Sequence, residues 1–254
     1  FIEQNVGIKM PYSKKVMLQA RLTKRLKSLN INSFSEYIKY LFSPEGKLNE
    51  AIHLFDIIST NKTDFFREPI HFKYLEQYVQ NLLINKKDVF LKIWSAGCSS
   101  GEEPYSIAMT LNNLMEKTNI FNYTILATDI SLRMLSIAKK GIYSFEKIKN
   151  LPPELIKKYF LKGINKEQGN VKIKPELQLK ITYRYHNLLD NNNEPDFRSY
   201  DIIFCRNVLI YFNKDVQLKV LIKLCNYLKK GGILFIGHSE SLTGMPLPLK
   251  HLQP

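Results

Sequence analysis

The chain has 254 residues, 44% of them hydrophobic, enough for one large α/β domain and a small appended one. Lys and Arg outnumber Asp and Glu by 37 to 23, giving a net charge of +14 and an isoelectric point near 9.5. This balance speaks of partners rather than fold: nucleic acid, a membrane surface or an acidic protein. No apolar run approaches the ~20 residues of a membrane span, so no membrane insertion is expected. No signal peptide is visible, and Phe1 is not a usual start, so a natural N-terminus is expected upstream. Cys98, Cys205 and Cys225 stand apart, without CxxC or Cys/His ligand spacing. Reduced thiols, a cytoplasmic protein and no zinc or other metal are expected.

Residues 1–60 predict helices without a strand, and so a small helical domain. Residues 12–29 hold six basic residues and no acidic one. There Leu18, Leu22, Leu26 and Leu29 fall on one helical face, and Lys14, Arg21 and Arg25 line a basic stripe beside it. Ser33 and Glu36 have capping-box spacing ahead of a helix through Tyr37, Ile38 and Leu41 that should stop near Ser43-Pro44. A further helix over 49–59 should turn Leu48, Ile52, Phe55 and Ile58 or Ser59 inward. Residues 60–69, polar and then aromatic, read as a connector across the mouth of the main domain. With a helix over 71–83 they form a linking segment, 61–84.

From residue 85 to 254 strands and helices alternate, as in an α/β domain. Leu91 to Trp94 predict a buried strand. A tight turn of small residues follows through Gly97 and Gly101, then a helix that tolerates Pro104 in its first turn. Glu102 and Glu103 stand at that helix start, where a phosphate would otherwise rest. They argue for a ligand carrying positive charge. A strand over 123–127 ends at Thr128-Asp129. A helix over 131–141 has Ser131 as cap and Gly141 at its C-cap. Residues 142–180 break the rhythm: a Pro-led short helix, a Gly163–Gly169 turn, and an alternating strand at Val171 to Lys174. They read as an inserted β-module. Strands over 180–185, 200–205 and 233–237 and a helix over 215–228 complete the pattern, with a closing strand expected beyond Pro254.

In an open α/β sheet the ligand lies beyond the carboxyl ends of the strands. Those ends hold Gly97 to Glu103, Asp129, Asn187-Leu188, Arg206-Asn207 and His238-Ser239-Glu240. Asp129 suits ribose hydroxyls, and Asn187 and the Leu188 backbone suit adenine edges. Glu102 or Glu103 suits an ammonium or sulfonium. The glycines do not complete G-x-G-x-x-G, so S-adenosylmethionine fits better than NAD. Singly, each residue also has a plainer reading: Asp129 as a helix cap, Asn187 as a loop amide, Arg206-Asn207 as an ion-pair site, the basic helix as a solvated face.

Several stretches resemble the CheR family of chemotaxis receptor glutamate methyltransferases. They are Asn61-x-Thr63-x-Phe65-Phe66-Arg67; Trp94-Ser95-Ala96-x-x-Ser99-x-Gly101-Glu102-Glu103-Pro104-Tyr105-Ser106; Thr128-Asp129-Ile130; Phe204-Cys205-Arg206-Asn207-Val208-x-Ile210-Tyr211-Phe212; and Gly237-His238-Ser239-Glu240. The likeness runs from about residue 10 to 245. It implies a Rossmann-like class I methyltransferase sheet, an all-α N-terminal domain and a small inserted β-subdomain. It places Asn61, Thr63 and Arg67 at the cofactor and substrate mouth, and Gly97, Glu102 or Glu103, Asp129, Asn187, Leu188, Arg206 and Asn207 around S-adenosylmethionine. Tyr211 falls beside the transferred methyl group. The implied reaction yields a glutamate methyl ester and S-adenosylhomocysteine, with Arg67 and Tyr211 as the catalytic pair. The implied partner is the acidic helical cytoplasmic region of chemoreceptors, met by Lys14, Arg21 and Arg25. Some members also bind a receptor C-terminal peptide on the insert, and the Gly163–Gly169 turn assigns this chain to neither kind.

Two other readings compete. A nucleic-acid methyltransferase would use the positive charge on phosphates. Base-amino methylation usually needs an Asn/Asp-Pro-Pro-Tyr/Phe turn where this chain has Arg206-Asn207-Val208-Leu209. The other is a non-catalytic cofactor-binding docking module, against which Arg67 and Tyr211 argue.

Overall fold

The computed structural model describes residues 1–84, 88–118, 120–190 and 199–252; the domain start expected at residue 85 lies outside them. Everything is built on strand β1 (Val89–Ala96), in which Leu91, Ile93, Trp94 and Ala96 are fully buried. A parallel strand is covered on both faces, so its sequence reads as an apolar run. Helix α6 (Glu102–Thr118) leads on to β2 (Phe121–Asp129), which pairs with β1 along its whole length, Val89 opposite Phe121 through Ala96 opposite Thr128. Helix α7 (Leu132–Lys140) follows, with Ser131 as N-cap accepting from the Met134 N–H and Gly141 as C-cap at φ 61°, both as the sequence implies.

The insert comes next. Strands β3 (Ile142–Ser144), β4 (Phe160–Lys162) and β5 (Asn170–Ile173) make an antiparallel sheet in the order β3-β5-β4. Short helices α8 (Pro153–Tyr159) and α9 (Pro175–Gln178) flank it. Val171 and Ile173 point inward and Lys172 outward, as their alternation requires. The main sheet resumes with β6 (Ile181–Tyr185), β7 (Tyr200–Cys205), helix α10 (Lys214–Tyr227) and β8 (Leu228–Ile236). Its order is β6-β2-β1-β7-β8, every pair parallel. The chain winds outward from β1 through β2 to β6, then returns to the other side of β1 with β7. That reversal opens a crevice at the carboxyl ends of β1 and β7. Strand β8 starts earlier than the sequence suggests, straight out of α10. Its pairing slips between Tyr200 and Ile202, near Gly231 at φ 80°.

The N-terminal region holds α1 (Ile2–Val6), α2 (Lys15–Ser28), α3 (Phe34–Phe42) and α4 (Pro44–Ile58), with α5 (Ile70–Ile84) leading into the sheet. Leu22 and Leu26 are buried with Tyr37, Leu41, Leu54, Phe55 and Ile58 in a core of their own. Ser33 caps α3 by accepting from the Glu36 N–H, but the Glu36 carboxylate returns to the Asn32 N–H, one residue before the cap. The Ser43-Pro44 stop is also a start: Ser43 accepts from the Gly46 N–H and Pro44 opens α4. The inward face of α4 differs from expectation. Leu48 is 76% exposed, and Glu50, Ala51 and Leu54 face the core.

Glu50 explains why, and corrects the basic stripe. It is 1% exposed and accepts from Arg25 Nε at 3.0 Å, Arg25 Nη2 at 2.6 Å and the Tyr37 hydroxyl at 2.8 Å. Arg21 donates to the carbonyls of Ile57, Ile58 and Ser59 at 3.0–3.3 Å, which the end of α4 leaves without helical donors. Both arginines expected to dock a partner are therefore committed to α4. Replacing Arg25 by Met strands a buried carboxylate. Urea denaturation should show a loss of about 3 kcal/mol; a loss under about 0.5 kcal/mol is what an exposed pair would give.

Candidate active site

The turn after β1 is fixed by its neighbour strand. The Gly97 and Cys98 N–H groups donate to the Thr128 carbonyl at 2.8 and 2.9 Å. Gly97 has φ 87°, and a Cβ there would lie 2.5 Å from Val208 Cγ2, so only glycine fits. Asp129 accepts from the Ser99 N–H at 2.7 Å and the Ser131 N–H at 2.9 Å. It braces the turn and the start of α7 together while still lining the crevice. Burial pushes its carboxyl above the ordinary range, opposed by those backbone hydrogen bonds. Two N–H donors leave lone pairs over for a ligand.

The two adjacent glutamates separate. Glu103 lines the crevice, accepting from the Ser95 hydroxyl at 2.7 Å and pairing with Arg206 Nη1 at 3.1 Å. Burial raises its pKa and Arg206 works against that rise. Glu102 is fully buried behind the crevice wall, accepting from the Ser100 hydroxyl at 2.6 Å and paired with Lys147 of the insert. Of the two adjacent glutamates, Glu103 lines the crevice and Glu102 does not.

The polar-aromatic connector is a strap over the crevice. Asn61, Thr63 and Arg67 all line it. Ser99 Oγ donates to the Asn61 carbonyl at 3.0 Å, and the Phe66 N–H donates to Ser106 Oγ at 2.9 Å. Phe65 is buried edge-on against Tyr143 and Phe160, with ring centroids 5.1 and 5.5 Å away. Phe66 and Glu68 take φ of 52° and 56°, left-handed values that non-glycine residues hold only when their surroundings fix them. Glu68 provides that fixing. It accepts from Arg206 Nη2 at 3.0 Å, Asn207 Nδ2 at 3.2 Å and the His238 N–H at 3.4 Å. Burial acts to raise its pKa, but the Asn207 and Arg206 hydrogen bonds and the Arg206 charge outweigh burial and hold it below the ordinary value. Glu240 anchors the turn after β7, accepting from the Asn207, Leu209 and Gly237 N–H groups at 2.6–2.9 Å. Glu68 did not figure among the expected site residues, although it lies directly beside a family-like stretch, and Glu240 figured only as a strand end without a role.

A second wall comes from the N-terminal segment. Val6, Ile8 and Lys14 line the crevice. Ile8 forms a bridge with Phe212, and the Lys9 N–H donates to the Tyr211 carbonyl at 2.9 Å. Asn187 was expected to read adenine. Its Nδ2 instead donates to the Asn5 carbonyl at 2.7 Å and its Oδ1 accepts from the Leu189 N–H at 3.1 Å. One N–H and one lone pair of the amide thus hold this wall, while Asn187 and Leu188 both line the crevice. Tyr211, Arg206 and Asn207 line the same crevice, as does His186, which packs on Trp94. Arg21 and Arg25 do not; they border a separate groove with Lys24, His53 and Arg133.

The crevice encloses about 1060 Å³ of empty space, its open mouth included. Residues 61–253 match the S-adenosylmethionine-binding domain of CheR methyltransferase, and residues 1–56 match its all-alpha domain. The chain belongs to the CheR methyltransferase family. A chemotaxis protein methyltransferase of Borreliella burgdorferi is 40% identical over 249 residues, 96% of this chain and 86% of that protein. Chemotaxis protein methyltransferase 1 of Pseudomonas aeruginosa is 37% identical, over 97% of this chain and 89% of that one. The Escherichia coli chemotaxis protein methyltransferase is 36% identical, over 95% and 82%. The CheR crevice fits S-adenosylmethionine by its donor set: carboxylates of Asp129 and Glu103 inside for hydroxyls and positive charge, and a tight glycine turn that admits no side chain. Glu68, His71 and His238 bring ligand atoms within 4.8 Å of one another. Arg206 already supplies positive charge 3.0 Å from the Glu68 oxygen that His71 faces, so Glu68 is ion-paired under the strap. Among the described residues no helix is long and apolar enough to cross a membrane.

His71 gives this cluster a pH signature. Burial, then the Arg206 charge, pushes its pKa from 6.5 down to about 4. Between these values the unfolded chain binds the extra proton and the folded chain does not, so this contribution to stability rises with pH across the window. His71→Gln should flatten the slope of unfolding free energy between pH 4 and 6.5 relative to the parent. Identical slopes would contradict a buried neutral imidazole.

Proposed function

We propose that this chain transfers the methyl group of S-adenosylmethionine to glutamate side-chain carboxylates of chemoreceptors, releasing the glutamate methyl ester and S-adenosylhomocysteine. The observation that carries this reading is the state of Arg67. It lines the crevice and spends one hydrogen bond on the Lys62 carbonyl at 3.0 Å. Among the described residues it has no carboxylate partner, whereas Arg206 has two, Glu68 and Glu103. A guanidinium without a carboxylate partner at the mouth of the crevice suits an incoming carboxylate.

The cofactor supplies an electrophilic methyl group on a sulfonium. A glutamate with pKa ~4.3 is already ionised at neutral pH, so no general base is needed. What remains for the protein is alignment and exclusion of water. Arg67 orients the carboxylate by its planar fork, and the single bond to Lys62 keeps that fork in place without neutralising it. Tyr211, whose backbone is held by the Lys9 N–H and by Val208, walls the path of the methyl group. Asp129 takes the ribose hydroxyls, and Glu103 faces the ammonium and sulfonium end, its own charge moderated by Arg206. Asn61, Thr63, Leu188 and Asn207 complete the wall.

An acidic receptor helix is drawn by the net positive charge. Lys14 at the crevice and the exposed Lys24 beside Arg21 and Arg25 supply the nearest basic surface. A receptor C-terminal peptide would use a free antiparallel edge of the insert, β3 or β4.

The test uses S-adenosylmethionine labelled on its methyl group, incubated with the protein and either receptor-bearing membranes or RNA. Base-labile label on receptor protein is expected, and base-stable label on RNA would overturn the reading. Arg67→Ala should slow methylation by roughly 100-fold, with cofactor affinity within about threefold of the parent; full turnover in that variant would remove Arg67 from the mechanism.

A further inference from the structure

The strap is held from one side by Arg206. The insert adds a further hold, and one charged side chain takes part in it. Lys147 lies in the single turn that follows β3. Its ammonium pairs with the buried carboxylate of Glu102, at the first residue of α6, and also donates to the Thr63 carbonyl of the strap at 3.4 Å. Lys147 does not line the crevice, but Thr63 does. Among the described residues, Lys147 alone joins insert to strap through a polar side chain.

We propose that Lys147 is a positioning residue for the cofactor crevice: it fixes the strap over S-adenosylmethionine by bridging Thr63 to the start of α6. This rests on the crevice being the cofactor site. Three observations support it. Glu102 is fully buried, so its charge requires a partner, and among the described residues its carboxylate has only the Ser100 hydroxyl beyond Lys147. The lysine side chain is 38% exposed, so the link can be altered from the surface without emptying the core. The rest of the seat is neutral: Phe65 between Tyr143 and Phe160, and the Tyr143 hydroxyl donating to the Ser100 carbonyl at 2.7 Å. That seat and the Ser99–Asn61 and Phe66–Ser106 bonds stay in place when the charge is removed, and the strap is released at Thr63. Loss of Lys147 therefore acts on cofactor binding and leaves the chemistry of the bound complex intact.

The experiment measures S-adenosylhomocysteine affinity by calorimetry, and KM and kcat for S-adenosylmethionine, in the full chain and three variants. Lys147→Met should raise both Kd and KM roughly tenfold, the scale of a lost hydrogen bond to a charged group, with kcat within about twofold of the parent. Lys147→Arg should restore affinity to within about threefold. Lys147→Met combined with Glu102→Gln removes both charges and should recover thermal stability while affinity stays weak, because the Thr63 carbonyl still lacks its donor. Parent-like affinity in Lys147→Met, or recovery of affinity together with stability in the double variant, would overturn the proposal. Failure of the parent itself to bind S-adenosylhomocysteine would instead sink the reading of the crevice as the cofactor site.

Discussion

The buried guanidinium of Arg206 is the constraint on which the crevice depends. It sits just past the carboxyl end of β7 with its side chain 2% exposed. A charge so far from water must be neutralised nearby or it destabilises the fold by several kcal/mol. The two carboxylates that neutralise it come from different places: Glu103 from the first turn of α6 and Glu68 from the strap. Satisfying one ion therefore draws the strap, the helix start and the strand end to a common point. Arg206 also reaches the Arg67 carbonyl and lies 5.6 Å over the Phe72 ring, which extends the same anchor to the beginning of α5. The left-handed backbone of Phe66 and Glu68 is held there against its own preference.

This arrangement divides the charges of the site by task. Inside, Arg206 is matched by Glu68 and Glu103, and Asp129 is braced by backbone N–H groups, so these residues are rigid and preorganised. At the mouth, Arg67 keeps a free fork, held in place by one carbonyl. A methyl acceptor that arrives as an anion and leaves as a neutral ester is served by such a cation: it is attracted on arrival and released once its charge is gone. The N-terminal segment closes the opposite side, where Asn5, Ile8 and Lys9 hold Asn187, Phe212 and Tyr211. The helical region thus contributes to the crevice itself as well as to the basic surface.

How legible this was in the sequence follows from how far each residue's partner lies along the chain. The Ser131 cap and the Gly141 stop depend on neighbours within a few residues, and their signals are local; the turn after β1 is announced by its own glycines although Thr128 and Val208 fix it. Arg25 reads as a surface cation because its partner Glu50 lies on a different helix, whose inward face was itself misjudged by taking Leu48 as core. The bond from Asn187 to Asn5 is invisible locally, because Asn5 lies 182 positions earlier. Glu102 and Glu103 are adjacent on one helix and so project about 100° apart; which of them lines the crevice is decided by Lys147 on the insert and Arg206 just past β7. Glu68 carried a signal that could have been used: an acid set between Arg67 and Pro69, at the end of the strap nearest α5.

The central claim is that the strap, clamped by Arg206 between Glu68 and Glu103, forms the lid of a preorganised cofactor crevice. A crystal structure of the protein with S-adenosylhomocysteine tests it most directly. The account predicts the ligand beneath residues 61–67, its ribose on Asp129, with Arg206 still paired to both glutamates and Arg67 facing the sulfur across open space. A ligand bound elsewhere, or Arg206 released from Glu68 to grip the ligand while the strap swings away, would contradict it.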